Sequence, residues 1–355
     1  MKKIIIICIM LLIPIKIKAI ETSATSAILV DTTSGRILYS KDIHNKRSIA
    51  SISKIMTAII AIESDKMNDV IEINNSIDKA YGSGIYIKKG EHIKLEDLVY
   101  GLMLRSGNDA ALAISDYVGG SVEEFIKQMN EKAKELGMKD TLFRNPSGLD
   151  EEDGGNISTA YDMSLLISYA IKNDKFKEIT GTKQHKVETD KNIYSWTNKN
   201  KLLFLYKNTT GGKTGFTVKA RRTLVTTASK DNLNLAVVTL NDGNDFQDHK
   251  DLFEYGFNNY KSYQILKKGI LEIPNTDNKE YYIENDYTYP LLETEEESIF
   301  IKYKLEKEPK ENAGEIEVYL GDKQLHKETI FVKEKEQKPR KSLIQKIKEI
   351  FKHDK

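Results

Sequence analysis

Apolar and polar positions change their period several times along the chain, and each change marks an element. Ser26–Val30 and Arg36–Ser40 alternate about Asp31-Thr-Thr-Ser-Gly35, the pattern of a hairpin with glycine in its turn. Ser51–Glu63 reads as an apolar helix. Glu96–Val118 and Ser121–Leu136 repeat at the helical period, the latter with Glu/Lys pairs along its outer side. Asn145-Pro146-Ser147-Gly148 is a turn, Tyr161–Ala170 is helical, and Arg222–Ala228 and Asn232–Leu240 are strands rich in β-branched residues. Asp248–Phe257 is a closing helix. The expectation over 20–260 is a mixed α/β (α+β) domain whose strands, drawn from both ends of its sequence, join one sheet.

Near residue 260 the pattern shortens. Ile270–Ile273, Glu280–Ile283, Ser298–Lys304, Glu315–Leu320 and Glu328–Val332 are brief alternating runs, with Gly321-Asp322 as one hairpin turn. They predict a small all-β domain over 261–332, followed by a charged linker over 333–340. In the last segment, 341–355, Leu343, Ile344, Ile347, Ile350 and Phe351 form one stripe of an α-helix surrounded by lysines. Twelve helical residues span about 18 Å, too short to cross a bilayer but suited to lying in its surface as a membrane anchor. At the other end, Lys2 and Lys3 precede the apolar run Ile4–Ile15, and Ile17-Lys18-Ala19 is a cleavage site. Residues 1–19 therefore read as a signal peptide for export.

Composition sharpens this outline. The chain carries 54 Lys+Arg against 53 Asp+Glu, a net charge of +1. That balance gives no case for nucleic-acid binding. It also hides an uneven distribution: a mildly acidic body lies between two basic ends. Cys8 is the single cysteine and falls within the signal segment, so no disulfide scaffold is possible. Six scattered histidines without ligand spacing offer no structural zinc site.

Three short motifs carry chemistry. Ser51-Ile-Ser-Lys54 opens an apolar helix, where residues three apart share a face, so Lys54 can reach the Ser51 hydroxyl. Burial among Ile52, Ile55 and Met56 favours a neutral amine, and the free N–H groups of a helix N-terminus suit an oxyanion. A second Ser-x-x-Lys match, Ser76-Ile-Asp-Lys79, lies in a polar stretch and reads as a solvated loop. Ser106-Gly107-Asn108 suggests a turn presenting two polar side chains into a cleft, though a capping turn explains it equally. Lys213-Thr214-Gly215 is not a phosphate loop, because position 207 is Lys and Gly215 leads into a strand. On a strand edge, Lys213 and Thr214 can hold a carboxylate, and Gly215 admits a ligand close to the backbone.

In this order the motifs match the signature of penicillin-recognising serine enzymes. The sequence resembles the serine-type D-Ala-D-Ala carboxypeptidases, the low-molecular-mass penicillin-binding proteins of the peptidase S11 kind, over nearly its whole length. Ile55-Met-Thr-Ala58, Gly84-Ile-Tyr-Ile87, Asn145-Pro-Ser-Gly-Leu149 and Ser158-Thr-Ala-Tyr-Asp-Met163 resemble further blocks of that family. The resemblance implies Ser51 as nucleophile, Lys54 as general base and Ser106 as proton relay. It implies Asn108, Lys213, Thr214 and Gly215 as substrate contacts, with the backbone N–H groups of Ser51 and Phe216 as oxyanion hole. The substrate would be a peptidoglycan stem peptide, β-lactams would acylate Ser51, and neither metal nor cofactor is called for. Two departures stand out: Ile49 where the family usually has proline, and Arg221-Arg222 where it usually has glycine after alanine. The competing expectations are a β-lactamase, which would want a water-activating glutamate such as Glu152 ahead of Asn156, and a wall-binding protein with a decayed site.

Overall fold

The computed structural model describes residues 20–150, 154–273, 279–307, 309 and 311–334. The signal segment, the linker, the amphipathic tail and Glu152 lie outside the described residues. The chain divides into two units. One takes the chain up to Lys230 together with Asn234–Asn258, and the other takes Asp231–Leu233 with the chain from Asn259 onward.

The first unit is built on a five-stranded antiparallel sheet whose order joins the ends of its sequence. Strand β1 (Ser26–Asp31) lies between β2 (Ile37–Lys41) and the strand Leu233–Leu240, which is followed by Arg221–Lys230 and, at the edge, Thr209–Thr217. All six residues of β1 are buried, which requires cover on both faces. Ile28 and Val30 point into a core shared with helices α1 (Lys54–Glu63), α2 (Leu95–Arg105), α3 (Asn108–Gly119), α4 (Val122–Glu135) and α5 (Ala160–Ala170). Leu29 faces the other way, near Gly256 of the closing helix Asp245–Asn259, where an added Cβ would press on Leu235.

The helical period over Glu96–Val118 is carried by two helices, divided at the Ser106-Gly107-Asn108 turn. Ser106 adopts a left-handed conformation (φ 65°, ψ 38°) that ends α2, and Gly107 precedes the start of α3. Helical periodicity survives such a break because both helices bury the same core. Between α5 and the Lys213 strand, a short helix (Asp174–Gly181) and a hairpin (Gln184–Glu188 with Ile193–Thr197) add to the pattern read from sequence. The second unit is all-β. Lys323–Glu334 pairs with Lys279–Ile283 on one side and with Asn312–Leu320 on the other, and Gly321-Asp322 forms the turn. Ile283, Ala313, Ile316, Val318 and Ile330 form its core.

Candidate active site

Ser51 lies in a 3-10 turn (Ala50–Ser53) that runs directly into α1. The turn is set by its neighbours. Ala50 is held at φ 50°, and Gly148 packs so closely on the Ala50 carbonyl that no side chain fits at position 148. The Thr223 hydroxyl donates to the Ile49 carbonyl (3.0 Å), and the Ile49 N–H donates to the Asn156 carbonyl (3.3 Å). Proline at position 49 would forfeit that second bond. One departure from the family pattern thus has a local use.

Lys54 is fully buried, and its amine meets three oxygens: Ser51 Oγ at 3.0 Å, Asn108 Oδ1 at 2.7 Å and the Ser147 carbonyl. Burial holds its pKa well below the ordinary lysine value, and the charges of Lys213 and Lys199 push the same way, while Asp109 opposes them. Burial outweighs Asp109, whose carboxylate accepts from the N–H groups of Ile85 (3.0 Å) and Tyr86 (2.6 Å). A neutral amine has two hydrogens and one lone pair. Two oxygens with no hydrogen to give, those of Asn108 and Ser147, take the hydrogens, which leaves the lone pair to the Ser51 hydroxyl.

The Ser147 carbonyl comes from the Asn145–Gly148 turn. Asn145 Oδ1 accepts from the Ser147 N–H, the Ser147 hydroxyl and the Gly148 N–H, and Thr57 on α1 donates to the Pro146 carbonyl (2.7 Å). Asn108, the first residue of α3, is engaged at both ends of its amide. It accepts from Lys54, and its Nδ2 donates to the Tyr81 carbonyl (2.6 Å), leaving one N–H for a ligand.

Lys213 is buried on the edge strand, and its amine donates to the Thr214 carbonyl (2.8 Å). Burial, with the nearby charge of Lys199, brings its pKa down to about 7. Gly215 sits against the protein itself: an added Cβ would lie 3.0 Å from Ser51 N and 3.2 Å from Ile52 N, and closer still to the Thr223 hydroxyl. The Cβ side of Gly215 is filled by the backbone of the Ser51 turn, while the residue also lines the cleft.

Ser51, Ser106, Thr214, Gly215 and Phe216 open on one cleft of about 320 Å³, which Ser83, Lys199, Lys201, Arg222, Asp245 and Phe246 complete. The three motifs are therefore brought together. Of the two arginines at the second departure, Arg221 takes the left-handed turn at φ 59°. Arg222 reaches the cleft, bound to Asp245 (2.6 Å) and lying over the Phe246 ring. The other Ser-x-x-Lys match forms a surface 3-10 turn, Asn75–Lys79, with no buried residue.

A sequence model of the D-alanyl-D-alanine carboxypeptidases, peptidase S11, matches residues 14–244. The chain belongs to this family. Among its S11 relatives, DacF of Bacillus subtilis is 31% identical over 280 residues, covering 76% of this chain and 71% of that one. DacD of Escherichia coli is 29% identical over 344 residues, covering 88% and 87%. Penicillin binding protein 6B of Escherichia coli superposes with a TM-score of 0.72 at 28% identity, over 89% of this chain and 97% of that one. Penicillin binding protein 5 of Haemophilus influenzae gives 0.75 at 23% identity, over 89% and 98%, a likeness of fold. The S11 motifs did not point to the Ser147 carbonyl, Asp109, Lys199, Lys201 or the Arg222–Asp245 pair. Of these, the Asn-Pro-Ser-Gly turn and the Arg221-Arg222 departure left a trace in the sequence.

Proposed function

We propose that the protein is a serine-type D-alanyl-D-alanine carboxypeptidase that removes the terminal D-Ala from peptidoglycan stem pentapeptides through an acyl-enzyme on Ser51. The observation that carries this reading is the buried, carboxylate-free amine of Lys54, 3.0 Å from a serine hydroxyl that opens on the cleft. Ser51 Oγ attacks the carbonyl carbon of the penultimate D-Ala while Lys54 takes its proton. The N–H groups of Ser51 and Phe216 receive the oxyanion, each such donor being worth roughly 3–4 kcal/mol. Ser106, with Lys213, passes a proton to the departing nitrogen, the C–N bond breaks and D-Ala leaves. Water then attacks the ester, Lys54 takes a proton from it, and Ser51 is restored. Thr214 and Lys213 hold the terminal carboxylate, and the free N–H of Asn108 Nδ2 meets a peptide carbonyl. A β-lactam acylates Ser51 by the same attack, but its leaving nitrogen stays tethered and hinders the water.

The test uses a fluorescent penicillin and a peptide ending in D-Ala-D-Ala. The protein is expected to be labelled and to release D-Ala, and Ser51→Ala to do neither. Persistent labelling of Ser51→Ala would remove Ser51 as nucleophile.

Export through residues 1–19 and anchoring to the outer face of the cytoplasmic membrane through Leu343, Ile344, Ile347, Ile350 and Phe351 complete the proposal. The support is the apolar stripe flanked by lysines, which suits an anionic lipid surface. Deleting Lys341–Lys355 should release the protein from membranes, and unchanged retention would refute the anchor.

A further inference from the structure

The cleft holds more positive charge than one substrate carboxylate requires. Its lining includes Lys199, Lys201 and Arg222 but a single acid, Asp245, whose carboxylate is bound to Arg222. Lys213 is buried next to the lining residue Thr214, whose carbonyl its amine meets. Among the described residues, neither Lys199 nor Lys201 forms an ion pair, and the Lys199 amine meets only the Ser83 hydroxyl (3.2 Å).

These two lysines are presented by a built segment. In Asn198-Lys199-Asn200-Lys201 the asparagines are buried and the lysines alternate with them toward the cleft. Asn198 Nδ2 donates to the Thr182 carbonyl (3.0 Å), and Asn198 Oδ1 accepts from the Asn200 N–H (2.9 Å). Asn200 Nδ2 donates to the Gly211 carbonyl (3.3 Å) on the edge strand, and the Lys199 N–H donates to the Leu104 carbonyl (3.0 Å) at the end of α2. The segment is thus tied both to the strand that carries Lys213 and to the helix that ends at Ser106. Its cations crowd one another: the charge of Arg105 adds to burial in lowering the Lys199 pKa, and Lys199 in turn lowers those of Lys213 and Lys54. Unpaired like charges fixed in a cleft cost stability, and a bound anion removes that cost.

We infer that Lys199 and Lys201 form a second anionic subsite, which selects stem peptides bearing a free carboxylate upstream of the D-Ala-D-Ala pair. This rests on the carboxypeptidase reading and specifies its substrate. The carboxylate can stand on the side chain of the residue preceding the pair or on the residue before that.

Three synthetic peptides ending in D-Ala-D-Ala separate these cases: one with a carboxylate at the nearer residue, one with it at the farther residue, and one with carboxamides at both. Release of D-Ala is measured for the full chain and for Lys199→Gln/Lys201→Gln. One carboxylate peptide is expected to exceed the carboxamide peptide in kcat/KM by about ten-fold, a typical return for a charge-assisted contact, and which one does so locates the source. The double variant should bring that ratio close to one. The ratio is the informative quantity because any change in the Lys54 amine affects all three peptides alike. Equal rates on the three peptides, or a ratio unchanged in the variant, would overturn the subsite. No release from any of them would overturn the carboxypeptidase reading beneath it.

Discussion

Gly215→Ala tests whether that glycine serves the protein or the substrate. The new methyl group would lie 3.0 Å from Ser51 N and inside the contact distance of the Thr223 hydroxyl. Thr223 cannot retreat freely, because its hydroxyl is bonded to the buried Ile49 carbonyl. Overpacking costs about 1–3 kcal/mol and loss of that hydrogen bond about 1 kcal/mol, so a destabilisation of about 2–4 kcal/mol is expected. For a unit of this size that is a fall in Tm of about 5–15 °C. The Ser51 N–H must also retreat by a few tenths of an ångström, which spoils its aim at the oxyanion and should slow acylation by a fluorescent penicillin several-fold, up to about 10-fold. Thermal denaturation and the acylation time course read the two effects separately. Adding Thr223→Ala removes the worst contact and should recover part of the stability. A Gly215→Ala protein with unchanged Tm and raised KM would refute the reasoning and return the glycine to a role in substrate approach.

Four further outcomes follow from the geometry. The rate of acylation should rise with pH as the buried Lys54 amine loses its proton, and Lys199→Gln, by removing a cation that depresses the Lys54 pKa, should move that rise to higher pH; stopped-flow acylation profiles check the direction. Asn145→Ala should lower stability by about 2–4 kcal/mol and also slow acylation, since three donors lose their acceptor and the Ser147 carbonyl loses its aim at Lys54. His249 is fully buried between the Thr226 (2.6 Å) and Thr239 (3.0 Å) hydroxyls, and burial holds its pKa well below 6.5. The unfolded chain then binds the extra proton as pH falls below about 6.5, and this residue removes stability at up to about 1.4 kcal/mol per pH unit; denaturant titrations of His249→Gln should lack that component. Arg221→Gly should raise stability by about 1 kcal/mol, because position 221 is left-handed, and an unchanged Tm would count against strain there.

The sequence made the elements legible where one face is consistently buried. The hairpin, the helix after Ser51, the two late strands and the alternating runs of the β unit all appear within a few residues of their expected places. Apolar periodicity runs through Ser106 because the two helices it divides share a core, and the break was legible only in the Ser106-Gly107-Asn108 triplet. At the site, Ser51 and Lys54 could be paired from helical spacing alone. The contact of Lys54 with Asn108 and Ser147 joins α1, α3 and a turn far apart in sequence, and no local pattern encodes it. The Ser147 interaction is also made by a backbone oxygen, which leaves no residue type to recognise. Gly215 was recognised as a point of close approach, but what approaches it was invisible until the Ser51 turn was seen against the strand.

The sheet order has a consequence for how the enzyme comes into being. Ser26 on β1 pairs with Leu240, so the first strand of the domain, already paired with its neighbour β2, finds its second partner only near the end of that domain. The strand carrying Lys213 pairs with Arg221–Lys230, which separates it from that late partner, and it is this strand that braces the Ser51 turn. The nucleophile, its base and its relay all lie before Leu233 in sequence, yet the strand that joins β1 to the hairpin bracing Ser51 is the last of the sheet, so the catalytic groups are enclosed by both ends of their own domain.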